Sequence, residues 1–77
     1  MDHFLHTVDG SRTFQNLKMR VSRMLTSNGA FRVQELLHGT GVTIEQADVC
    51  LSKMAEMNLV KRITHGSVKE HDIYGNP

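Results

Sequence analysis

The side chains of this sequence with the greatest potential for chemistry are five histidines and one cysteine. His3 and His6 are separated by two residues, a spacing that can bind a cation, but Cys50 lies far along the chain from them. No group of cysteines and histidines has the spacing of a zinc finger. Cys50 lies at helical spacing from several apolar residues, which is typical of a buried thiol that behaves as a small hydrophobe. We therefore expect no metal site and no cysteine nucleophile.

A glycine-rich turn, Gly39-Thr40-Gly41, raises the question of phosphate-dependent catalysis. A phosphate-binding loop of the nucleotide-hydrolysing type follows a strand and continues into Gly-Lys-Ser or Gly-Lys-Thr. Here the turn links two helical patterns and no such continuation is present. We therefore expect no cofactor and no enzymatic activity.

The polar residues with the clearest pattern lie in the stretch TGVTIEQADVC, which ends at Cys50. Thr43 followed three residues later by Gln46 is a capping box, which predicts that a helix begins here. Glu45 and Asp48 bring two carboxylates into the first turns of that helix. Acidic side chains in these turns interact favourably with the helix dipole, and each stabilises the helix by roughly 0.3–1 kcal/mol. They therefore have a structural explanation beside any role in binding a partner.

Length and composition indicate one small domain. A chain of 77 residues buries only about 60% of the surface that it exposes when unfolded, and its 39% hydrophobic content suits a single core. The single cysteine excludes a disulfide within the chain and is typical of a reducing compartment. No apolar run approaches the roughly 18 residues of a membrane span, and no signal-peptide pattern is present. We expect a cytoplasmic protein that does not associate with a membrane.

The charge is segregated along the chain, although the net charge is only +1. Residues 10–34 carry five basic side chains and no acidic one, whereas residues 35–60 carry four acidic side chains and one lysine. The composition is therefore not that of a strongly basic nucleic-acid binder, and its acidic block includes the helix that begins at Thr43.

Periodicity predicts three helices and a hairpin, an α+β fold. The first helix covers 13–28, with Arg12, Arg20 and Arg23 on the face opposite its apolar stripe, and the second covers 33–38. The third runs from Thr43 to about residue 57 and buries Ala47, Cys50, Leu51 and Met54. Phe31 and Arg32 form a short extended link. Strands at 60–64 and 68–74 flank a turn at 65–67. Residues 1–12 form an arm or a short strand that docks on this domain or on a second copy.

The stretch FRVQELLHGTGVTIEQADVCLSKMAEMNLVKRI, residues 31–63, resembles the helix-turn-helix and first wing strand of winged-helix proteins, which are mostly small transcription regulators. The matching positions are Glu35-Leu36, Thr40-Gly41-Val42-Thr43, Ala47, Leu51, Met54 and Asn58-Leu59-Val60. The resemblance covers residues 13–74. It implies an N-terminal arm at 1–12 and a winged-helix domain at 13–77, with three helices and a two-stranded wing.

The resemblance implies a transcription regulator that binds double-stranded DNA as a homodimer, with the third helix in the major groove. Gln46 can pair with adenine there, and Glu45 or Asp48 can accept from cytosine N4. Basic side chains beside the helix and on the wing would contact phosphates. The expected DNA-binding residues are Arg32, Thr43, Ile44, Glu45, Gln46, Asp48, Val49, Ser52, Lys53, Lys61, Arg62, His65 and Lys69.

A second hypothesis comes from the acidic outer stripe of the third helix. Glu45, Val49 and Glu56 fall on one side of it, which suits an adaptor or inhibitor that binds another protein.

The candidate contacts of the dimer are Met19, Phe4, Leu5 and Tyr74. Phe4 and Tyr74 can equally cover the small core. RNA binding is a weaker alternative, because few aromatic residues are available for base stacking.

Overall fold

The computed structural model of the chain describes residues 2–64 and 71–77. It confirms an α+β fold, with three α-helices and a three-stranded antiparallel sheet in the described part. The elements are a 3-10 helix Asp2–His6, α1 Val8–Asn28, β1 Ala30–Arg32, α2 Val33–Leu37, α3 Ile44–Glu56, β2 Lys61–Thr64 and β3 Ile73–Gly75. The expected two-stranded sheet was wrong, because β1 adds a third strand.

Helix α1 begins at Val8, five residues before the predicted start at residue 13. Thr7 caps it, its hydroxyl accepting from the Gly10 amide at 2.9 Å. Asp9-Gly10 read as a turn signal, but Gly10 is needed here for another reason: a Cβ on it would stand 1.6 Å from the Phe4 carbonyl oxygen. Glycine therefore lets the 3-10 helix pack directly on the first turn of α1.

Of the expected arm at 1–12, residues 2–6 form this 3-10 helix and residues 8–12 the first turns of α1. The 3-10 helix docks on its own domain. Phe4 and Leu5 are half-buried and pack against the hydrophobic core. The Thr7 hydroxyl donates to the Phe4 carbonyl at 2.7 Å, which joins the end of the 3-10 helix to the start of α1.

The turn between α2 and α3 depends on two glycines with positive φ, Gly39 at 75° and Gly41 at 74°. The Thr40 hydroxyl donates to the Leu37 carbonyl at 2.7 Å and accepts from the Val42 amide at 3.1 Å. These bonds close the turn, so that α2 ends at Leu37, one residue before the predicted end. Glycine adopts a positive φ at little energetic cost because it has no Cβ, so it permits this tight turn.

Helix α3 confirms the sequence prediction closely. Thr43 is the N-cap, and the reciprocal bonds of the capping box with Gln46 measure 3.1 and 3.2 Å. The helix ends at Glu56, and Asn58 follows with a φ of 59°. Its buried residues are Ala47, Cys50, Leu51 and Met54, as the apolar spacing predicted.

The sheet has the strand order β1-β3-β2, so that the predicted extended link at Phe31 and Arg32 is a strand paired to the end of the chain. Phe31 and Arg62 lie on either side of Tyr74 in the register. The rings of Phe31 and Tyr74 stack at a centroid distance of 5.9 Å. The predicted turn at 65–67 and residues 68–70 of the predicted second wing strand lie outside the described residues. The strand that the structure describes after them is β3.

The core lies between the three helices and the sheet. Leu17, Leu36, Leu51 and Met54 are its largest fully buried side chains, together with Cys50. In the described part of the chain, no helix has the length and apolar character that crossing a membrane requires.

Candidate nucleic-acid interface

The side of α3 that points away from the core is polar around one apolar side chain. Glu45, Ser52 and Glu56 are exposed and Val49 is half-buried; these four residues form what we call the outward face. They recur every three or four residues, which places them on one side of the helix. The face thus offers hydrogen-bonding groups with a small apolar centre.

The N-terminal end of the outward face is occupied by the capping box. The Thr43 hydroxyl accepts from the Gln46 amide, and Gln46 Oε1 accepts from the Thr43 amide. The side-chain NH₂ group of Gln46 keeps two donors for a partner. Ile44, also expected at the interface, is half-buried and packs against the core instead.

Asp48 belongs to a different surface from Glu45. It is half-buried and lines a narrow cavity with Val33, Asp72 and Tyr74. The pKa of Tyr74 is raised chiefly by desolvation; Arg62 lowers it, and the negative charges of Asp48 and Asp72 raise it further. Asp48 therefore faces the hairpin, and Glu45 is the one exposed carboxylate in the first half of the described helix.

Arg62 also belongs to this second surface. Its guanidinium forms an ion pair with Asp72, whose side chain is only 3% exposed. The Asp72 carbonyl accepts from the Val33 amide at 3.0 Å, which joins the hairpin to the start of α2. We call Asp48, Arg62, Asp72 and Tyr74 the junction. Sequence reasoning treated Arg62 as a phosphate contact and did not recognise Asp72 as its partner, although their places on adjacent strands were the available signal.

The remaining basic candidates are unevenly placed. Lys53 pairs with Glu56 at 3.6 Å, so its charge is offset on the surface of α3. Arg32 is exposed, and it lies opposite Ile73 in the sheet. Lys61 is exposed but lies opposite Gly75, at the other end of the paired strands. His65 and Lys69 lie outside the described residues.

The structure thus brings Arg32 close to the junction, because Arg32 lies opposite Ile73, which stands between Asp72 and Tyr74. Among the residues described, no group of three histidine, cysteine, aspartate or glutamate side chains could hold a metal ion. Burial raises the pKa of the Cys50 thiol to about 11, which keeps it protonated at neutral pH. The chemistry that these surfaces offer is hydrogen bonding and charge contact.

Comparisons with protein-family models, with curated proteins and with solved structures found no match for this chain.

Proposed function

We propose that the chain is a winged-helix protein that binds double-stranded DNA through the first half of α3 and regulates transcription as a homodimer. The observation that supports it best is the succession of α2, a glycine turn, a Thr43-capped α3 and an antiparallel hairpin. In a helix-turn-helix this arrangement presents the N-terminal half of the second helix to the major groove.

The position of Asp48 reduces the repulsion expected between α3 and DNA phosphates. Of the three carboxylates on α3, Asp48 faces the hairpin and Glu56 is paired with Lys53. Glu45 remains, and a carboxylate can accept a hydrogen bond from cytosine N4. Gln46 can donate to a base edge, and Val49 can contact a thymine methyl group.

Few cations stand beside this face, so affinity should be modest. Arg32 is exposed at the start of α2, whereas Arg62 is engaged by Asp72. Each phosphate contact contributes about −0.9 to the slope of log affinity against log salt. One protomer should therefore show a shallow slope, and two protomers on two half-sites would double it. The exposed Val8 on α1 is the candidate contact of such a dimer; Tyr74 is not, because it is buried against Phe31.

Fluorescence anisotropy with labelled duplex DNA at two salt concentrations tests this function. Wild-type protein should bind at low salt, and Arg32→Gln should weaken binding and make the salt slope shallower by about one. Arg12→Gln is the matched control, since Arg12 is exposed on α1 and should have no effect. Absence of binding to random and upstream duplexes at low salt would contradict DNA binding.

A second candidate function is protein binding through the outward face, as an adaptor or inhibitor. It is favoured by the grouping of Glu45 and Glu56 around Val49, with Lys53 offset by Glu56. Such a face suits a basic partner with an apolar centre. Glu45→Gln separates the two functions, because it should strengthen DNA binding but weaken binding to a synthetic amphipathic peptide of lysine and leucine. Val49→Asp should abolish binding to the peptide.

A further inference from the structure

We propose that the groove between α1 and the α2–α3 turn binds the phosphate group of a small phosphate ester. The groove encloses about 390 Å³, which lies within the range of roughly 300–1,000 Å³ for small-molecule sites. The residues that carry the proposal are Arg20 and Arg23, with Asn16, Met19 and Val42 beside them. This site is separate from the outward face and does not rest on the proposed function.

Arg20 is held in place before any ligand arrives. Its Nε donates to the Leu36 carbonyl at 3.1 Å, and one terminal nitrogen donates to the His38 carbonyl at 3.4 Å. Sequence periodicity had placed Arg20 on the solvent face with Arg12 and Arg23, and this was wrong because the end of α2 lies within its reach. A guanidinium has five N–H donors, so three remain after these two bonds.

Arg23 supplies the second positive charge. It lies three residues after Arg20 on α1, a spacing that puts two side chains on the same side of a helix. Arg23 is exposed, and within the described ranges it has no ion-pair partner. No acidic residue lines the groove in the part of the chain that the structure describes. Two guanidinium groups without a competing carboxylate favour an anion, and their planar forks suit phosphate oxygens.

The apolar part of the lining extends the proposal from a bare ion to an organic phosphate. Leu17, Met19 and Val42 line the groove beside the arginines, and the Met19 side chain is 58% exposed. Apolar side chains beside two arginines suit a ligand with an organic body and one phosphate group, and a thioether adapts to a flat ring. The Asn16 amide can select among polar groups on that body. A nucleoside monophosphate has this combination and is a suitable probe.

The test is a titration followed by amide nuclear magnetic resonance. Adenosine monophosphate should shift the amides of Asn16, Arg23 and Gly39 saturably, whereas adenosine should not. Arg23→Gln should weaken binding about tenfold, the usual effect of losing a charge-assisted hydrogen bond. Arg12→Gln is the matched control, because Arg12 is exposed on the same helix and does not line the groove. Arg20→Gln should also weaken binding, but it removes the contacts with α2 as well.

Three results would overturn the proposal. They are an absence of saturable shifts with adenosine monophosphate, equal shifts with adenosine, and equal weakening by Arg12→Gln and Arg23→Gln. Inorganic phosphate and duplex DNA distinguish the sources of the phosphate. Weaker binding of inorganic phosphate at the same amides is expected, and shifts there with duplex DNA alone would rule out the small ester. Failure of DNA binding at α3 would leave these outcomes unchanged.

Discussion

On the outward face of α3, Glu45 is in contact with solvent, whereas at the junction Asp48 and Asp72 lie among apolar side chains of α2, α3 and β3. Glu45 and Asp48 lie on neighbouring sides of the same helix, α3. Charges that are exposed contribute little to stability and remain available to a partner. Charges that are buried must be compensated within the fold, and they become part of its framework. Burial therefore separates the residues that we propose to contact a partner from those that support the fold.

Removing the Arg62 guanidinium from the junction should have the largest effect on stability. Arg62→Ala removes the charge-assisted contact with the buried Asp72 carboxylate, so the free energy of unfolding should fall by about 1.5–3 kcal/mol. Lys61→Ala, next to it on the same strand and exposed, should change stability by less than about 0.5 kcal/mol. Urea denaturation measures both variants, and Arg62→Lys should fall between them if the first variant does not fold. Equal effects of the two alanine variants would contradict a structural role for Arg62.

Buried titratable groups should make the fold sensitive to alkali. Burial raises the pKa of Cys50 from 9.0 to about 11, so between these values the unfolded chain loses the thiol proton and the folded chain keeps it. The unfolded state is thereby favoured, and stability falls as pH rises, by up to about 1.4 kcal/mol per pH unit. Desolvation raises the pKa of Tyr74 in the same direction. Urea denaturation at pH 8.5 and 10.5 should show the loss.

The variant Cys50→Ala serves as the control for that pH dependence. It should be less stable than the wild type at pH 8.5, because it leaves a small cavity in the core. Its stability should fall less between the two pH values, because one of the groups that titrate is gone. A pH dependence as steep as that of the wild type would mean that the thiol is not shielded.

The N-cap of α3 should have a smaller effect. Thr43→Ala removes the hydroxyl that accepts from the Gln46 amide and should cost about 1 kcal/mol of stability. Thr26→Ala is the matched control, because the Thr26 hydroxyl only bonds back to the Ser22 carbonyl on the exposed surface of α1. Thermal denaturation of the two variants should differ accordingly. If both lose the same stability, the capping box does not stabilise α3.

The smallest expected effect concerns the outward face. Glu45→Gln removes an exposed negative charge from the first turn of α3, so it should lower stability by no more than about 0.3–1 kcal/mol and strengthen DNA binding about threefold at low salt. Asp9→Asn removes an exposed carboxylate from the first turn of α1, so it should have a similar effect on stability and none on DNA affinity. Anisotropy titration measures the affinities. A loss of DNA affinity in Glu45→Gln would instead indicate that the carboxylate makes a base contact.

Local patterns in the sequence predicted α3 and its buried face well. The capping box and the apolar spacing of Ala47, Cys50, Leu51 and Met54 act within one helix, so neighbouring residues contain the information. The start of α1 was missed because Asp9-Gly10 has the composition of a turn. Gly10 is required instead by the close approach of Phe4, a contact with a separate element.

The third strand and the partners of Arg62 and Arg20 were missed for one reason, which is pairing between distant residues. β1 has three residues and pairs with the end of the chain, so no periodicity within it could indicate a strand. The ion pair of Arg62 and Asp72 depends on the register of two strands, and that register shifts between Arg62 and Thr64. Arg62 therefore resembled a free phosphate contact in the sequence. Arg20 was misplaced for the same reason, because its acceptors lie on α2.

We propose that the first half of α3 contacts DNA while the junction supports it from behind. Mapping amide resonances during titration with duplex DNA measures this contact. The largest shifts should occur at Thr43, Gln46, Val49 and Arg32, with little change at Thr26 on the exposed surface of α1. An absence of shifts at the start of α3 at low salt would contradict the contact.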